Sequence, residues 1–99
     1  MDLTYSLFFI IMEEQEEVTI LDKAKAIIKG DRNSDYGDFK KNFEDISSIV
    51  KVLTGKDITP EDCCKVLIAV KLAREGYKHK EDNLVDLCGY AYILNELNN

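Results

Sequence analysis

The sequence predicts an all-α protein, a small antiparallel bundle of about four helices that is expected to self-associate. Apolar residues recur at helical spacing in four segments, the connections carry cap and turn residues, and alternating strand patterns and hairpin dipeptides are missing. At 99 residues the chain makes one domain, with a core near the small end of what folds unaided. Association between copies would enlarge that core.

The first helix is expected from about Glu14 to Lys29, where Val18, Leu21, Ala24 and Ile28, with Ile20 and Ile27, form a broad apolar face. Gly30 is placed to end it in a left-handed conformation. A second helix begins at Asp38, which can cap the amides of "FKKNF", and carries Phe39, Phe43, Ile46, Val50 and Leu53 up to Gly55. The third opens at "ITPED", with Thr59 at the N-cap, Pro60 at the first helical position and acids in the first turn. From Cys63 to Ala73 it is apolar on nearly every side and is expected at the centre of the bundle. The last helix opens near Asp82 and runs to the end.

Residues 14–99 are thus read as a single helical domain, and residues 1–13 as an apolar N-terminal arm or extension. The run "LFFIIM" lacks the basic flank and cleavage site of a signal peptide and is too short to span a bilayer. No membrane partner is expected, and the protein is placed in the cytoplasm of a bacterial host cell. Hydrophobic residues at 45% and charged residues at 32% describe a soluble globular chain. A net charge of -6 argues against long nucleic acid as a partner, because that binding rests on basic side chains displacing counterions. Cys63, Cys64 and Cys88 fit neither a disulfide framework nor a zinc site, and read as reduced core residues.

Several polar residues fall where the pattern calls for apolar ones. Stepping about 100° per residue from Leu67 puts Val70 at about -60°, Lys71 at about +40° and Arg74 at about -20°, so two cations share a face with core residues. The fourth helix offers counter-charges in Asp82 and Asp86, an i,i+4 pair whose face also holds Gly89, Tyr90 and Ile93. A glycine inside a helix is costly, and usually marks the close approach of a backbone or a ligand. Two readings stay open for this cluster. One is a metal or phosphate site; the other has Asp82 as N-cap and Asp86 paired with Lys71 or Arg74 to hold the helices in register.

Between the first two helices lies "GDRNSDYGDF". Asp31, Asn33 and Asp35 alternate as in a calcium loop, but Tyr36 stands where that loop needs glycine and Asn42 where it needs glutamate. The better account is a sharp turn at Gly37 into the helix capped by Asp38, with Arg32 held for phosphate and Tyr36 for a base. His79, between Lys78 and Lys80, reads as a solvated loop residue, with Lys78 a further anion contact. A single histidine and the lack of G-x-S-x-G support no nucleophilic triad.

"GDRNSDYGDFKKNFEDI", "ITPEDCCKVLIAVKLAR" and "HKEDNLVDLCGYAYIL" together resemble a group of small phage and prophage proteins with a D-Y-G-D turn and a terminal D-x-x-V-D-x-x-G-Y-A helix. The likeness covers roughly residues 18–97 and implies a viral or mobile-element origin. A looser resemblance is to the nucleotide-modification-associated helical proteins of phages and to MazG-type all-α nucleoside triphosphate pyrophosphatases. The latter resemblance implies magnesium held by E-x-x-E on one helix and E-x-x-D on another. Here the second motif would fall at Asp82 and Asp86 with D-x-x-x-D spacing, while Lys71 and Arg74 stand where the first would be.

The expectation is a helical protein binding a nucleotide or nucleotide-like phosphate. Arg32, Lys71, Arg74 and Lys78 would meet phosphate, Tyr36 and Tyr90 would pack on base or sugar, and Asp82 and Asp86 would take magnesium or orient the cations. If hydrolytic, it would use magnesium-assisted attack of water on a phosphoanhydride. The alternatives are a non-catalytic sponge for a nucleotide signal, a module that sequesters a host defence protein, and a structural oligomer.

Overall fold

The computed structural model describes residues 18–30 and 38–99, which form four helices and, among the described residues, no strand. Helix α1 spans Ile20–Lys29 and starts at a reciprocal cap. Thr19 Oγ1 accepts from the Asp22 amide at 3.1 Å, and the Asp22 carboxylate accepts from the Thr19 amide at 3.0 Å. The T-x-x-D spacing was there to read, yet the expected start lay nearer Glu14; residues 14–17 lie outside the described residues. At the other end Gly30 has φ -103, so it is not left-handed as expected. Its need is steric instead: a Cβ there would meet the Ala26 carbonyl oxygen at 2.5 Å.

Helix α2, Phe39–Thr54, begins and ends as its sequence indicates. Asp38 Oδ1 accepts from the Lys40 amide at 2.9 Å, and Gly55 closes the helix at φ 74, a left-handed cap whose N–H donates to Lys51 O at 2.8 Å. In α3, Pro60–Tyr77, Thr59 Oγ1 accepts from the Asp62 amide at 3.1 Å and Pro60 opens the first turn. Ser47 of α2 donates to the Ile58 carbonyl and fixes the chain between the two helices.

Helix α4, Glu81–Leu97, has Lys80 rather than Asp82 at its N-cap, and no side chain of its own caps it. The cap comes from α3. Glu75 accepts from the Lys80 amide at 3.0 Å and from Asn83 Nδ2 at 3.2 Å, and also pairs with His79 Nδ1. The His79 bond first, then those from Lys80 and Asn83, hold the Glu75 carboxyl below its ordinary value of 4.5. A carboxyl depressed on folding stabilises the native state above its unfolded pKa and loses that effect as pH falls through the folded one. Thermal midpoints measured across acid pH should therefore drop as pH passes below about 4.5, and Glu75→Gln should flatten that slope.

The α3–α4 pairing is antiparallel, since Lys71 meets Asp86 and Glu75 meets Asn83. Helix α1 runs alongside α4 in the same direction. Lys23 pairs at 2.6 Å with Glu81 at the start of α4, while Ile28 and Lys29 share a groove with Cys88 and Tyr92 further along. The expectation of a wholly antiparallel bundle is corrected accordingly.

The expectation for the centre changes too. Helix α4 packs against all three others, whereas α3 touches only α2 and α4 and leaves Val66, Ala69 and Ala73 exposed. Short connections commit two sides of α3 to its chain neighbours, and nothing among the described residues covers the third. The core joins Phe43 of α2 to Cys63 and Cys64 of α3, with Tyr90, Ile93 and Leu97 of α4 packed against it. Burial pushes the Cys63 and Cys64 thiols up, and Cys64 Sγ donates to the Tyr90 carbonyl at 3.3 Å, so both act as core residues. Among the described residues, no helix is long and apolar enough to cross a membrane.

Candidate functional site

Helices α1 and α2 both lean on α4 but do not pack on each other. The gap between them is a cleft of about 290 Å³. Ile27 and Ile28 of α1 form one wall, Phe39, Asn42 and Ile46 of α2 the other, and Asp86, Gly89 and Tyr90 of α4 the floor. These residues reach one place because each lies on the inward stripe of its helix: Ile27 and Ile28 follow the buried Ala24, and Phe39, Asn42 and Ile46 flank the buried Phe43 at i-4, i-1 and i+3. The Phe39 and Tyr92 rings meet edge-on with centroids 6.1 Å apart, fixing the start of α2 against α4.

Gly89 shapes this floor by what it leaves out. A Cβ built on it has no described atom within 4 Å, so no packed neighbour demands glycine there. The open space belongs to the cleft. Asp86, one turn earlier, brings the charge: its carboxylate lies 2.7 Å from Lys71 Nζ, with both side chains 17% exposed, and is also engaged elsewhere. Among the described residues, the cleft is therefore an apolar slot with aromatic edges, one amide from Asn42 and one ion-paired carboxylate.

Lys71, Asp86 and Tyr90 are brought together at the cleft or directly behind it. Arg74, Lys78 and Asp82 are exposed and line none of it. Arg74 misses because the line of α3 facing α4 runs through Cys64, Lys71 and Glu75 rather than through Leu67, and Arg74 lies about 80° off that line at about 100° per residue. Asp82 sits in the first turn of α4, where its charge suits the helix N-terminus. Arg32 and Tyr36 lie outside the described residues. Phe39, Asn42 and Ile27 were not singled out as site residues, because only the tertiary arrangement sets them opposite Gly89.

As a magnesium pair Asp82 and Asp86 fit poorly. The Lys71 ammonium already lies against Asp86, where its positive charge opposes a divalent cation. Among the described residues no group of three or more His, Cys, Asp or Glu side chains is placed to hold a metal ion.

Residues 19–98 match the family model described as Domain of unknown function (DUF6378). The chain belongs to this family. The DUF6378 match takes in all four helices and every residue of the cleft. Two phage proteins are similar to the chain. Gene 55 protein of Mycobacterium phage L5 is 39% identical over 84 residues, covering 81% of this chain and 53% of the relative. Gene 55 protein of Mycobacterium phage D29 is 35% identical over 74 residues, covering 74% of this chain and 49% of the relative. The chain thus spans about half the length of the curated relatives it matches. No solved structure matches this DUF6378 chain.

Proposed function

We propose that this DUF6378 protein is a phage-type binding module, working in the cytoplasm of an infected bacterium, that takes the ring system of a nucleotide-like ligand between α1 and α2. The observation that carries the reading is the cleft itself: an apolar slot over a glycine that no described neighbour requires. Its volume of about 290 Å³ is near the lower limit of small-molecule sites, which suits a heterocycle better than a whole nucleotide. Phe39 and Tyr90 offer aromatic surface to such a ring, and Asn42 and Asp86 offer hydrogen bonds to its polar edge. Phosphates would lie outside the slot. Arg32 and Tyr36, expected for phosphate and base, carry none of this reading.

Binding without turnover is the form favoured here, because Lys71 faces the Asp86 carboxylate that lines the slot. That arrangement suits a nucleotide sponge better than a magnesium-dependent pyrophosphohydrolase, and no hydrolytic step is derived. The test is to incubate the full chain with nucleoside triphosphates, monophosphates and cyclic nucleotides, with and without magnesium. A stoichiometric complex whose ligand is returned intact on denaturation is expected. Pyrophosphate release would replace the sponge with the hydrolase, and retention of no nucleotide at saturating protein would overturn the reading.

A further inference from the structure

Among the described residues, the outward face of α3 has no partner. At about 100° per residue, Asp62, Val66, Ala69, Val70, Ala73 and Tyr77 fall within about 100° of arc, opposite Cys64. Cys64 is fully buried, whereas Tyr77 is 93% and Val66 54% exposed. Ala69, Ala73 and Asp62 are exposed as well. Helices apolar on all sides are ordinarily covered on all sides.

The order of side chains along this strip says what covers it. Turned end for end about a point between Ala69 and Val70, the strip sets Asp62 against Tyr77, Val66 against Ala73 and Ala69 against Val70. Each larger side chain then meets a smaller one, and the Tyr77 hydroxyl approaches a carboxylate. Charge agrees with this placement. Glu61 and Asp62 lie in the first turn of α3, while Arg74 lies in the last turn and Lys78 directly follows it. Antiparallel pairing brings the acidic end of one helix to the basic end of the other, and parallel pairing would stack like on like.

We propose that this face is an interface with a second copy of the chain, in which two α3 helices pair antiparallel about a two-fold axis between Ala69 and Val70. Such an isologous contact closes on itself and gives a dimer rather than a filament. It covers the third side of α3 and extends the small core. It is separate from the ligand cleft, to which α3 contributes Leu67, a residue outside this strip.

Sedimentation of the full chain across the micromolar range should show a species of about twice 11.3 kDa. Ala69→Glu should sediment as a monomer with unchanged helical circular dichroism. Mixing Val66→Cys with Ala73→Cys chains under mild oxidation should link the two variants faster than either links to itself, above the background set by the natural cysteines. That readout decides the matter even if Ala69→Glu fails to fold. A natural chain that is monomeric at every concentration, a folded Ala69→Glu dimer, or preferential self-linking of Val66→Cys would each overturn the proposal.

Discussion

Gly89→Ala is expected to make the protein more stable and a poorer binder. Alanine in a helix interior is favoured over glycine by about 0.5–1 kcal/mol, and here the added methyl meets no described atom within 4 Å. The thermal midpoint should therefore rise. The same methyl narrows the slot where a ring would lie, so affinity for the nucleotide retained by the natural chain should fall about tenfold, equivalent to about 1.4 kcal/mol. Gly89→Leu extends the test by filling the floor, and binding should be lost while the helix content stays. Opposite signs for stability and affinity are the signature of a residue kept for its ligand. Undiminished binding by a folded Gly89→Leu chain would move the ligand out of this cleft.

The second large effect concerns the ion pair behind the floor. Breaking a fully buried pair costs about 3–5 kcal/mol, whereas exposed pairs contribute about 1 kcal/mol or less. Lys71 and Asp86 lie between these limits, each 17% exposed. Lys71→Met should thus destabilise by about 1–3 kcal/mol, read as a lower urea midpoint at unchanged slope. The remaining solvent access of both side chains keeps the loss below the fully buried figure. A Lys71→Met/Asp86→Leu double substitution should recover part of that stability, because an apolar side chain replaces the carboxylate that has lost its lysine. Its ligand affinity should not recover, since Asp86 lines the slot and Leu offers the ring edge no acceptor. Affinity tracking stability through the whole cycle would leave the pair a purely structural role.

Local chemistry made much of this fold legible. Asp38, Gly55, Thr59 and Pro60 act through neighbours two to four residues away, so their roles can be read along the chain. A pairing of Asp86 with Lys71 or Arg74 was one of two readings left open by charges at core positions on successive helices, and the structure pairs it with Lys71. Longer-range chemistry was hidden. The α4 cap comes from Glu75, five residues before the amide it accepts from, and the centre of the bundle depends on which faces find partners. The cleft drew least on local pattern, since Phe39, Ile27 and Gly89 sit on three helices whose meeting no spacing announces. Gly89 was noticed as out of place, while the space above it required the fold.

Among the described residues, helix α1 is held by α4 alone, through Ala24 and the exposed Lys23–Glu81 pair, whereas α2, α3 and α4 share the core around Phe43 and Cys64. A segment with a single docking surface detaches at lower free energy than the global transition and forms its own cooperative unit. One wall of the slot is therefore a door hung on one side. A guest held there also fastens α1 to the remainder, so occupancy and the local melting of ten N-terminal helical residues become a single equilibrium.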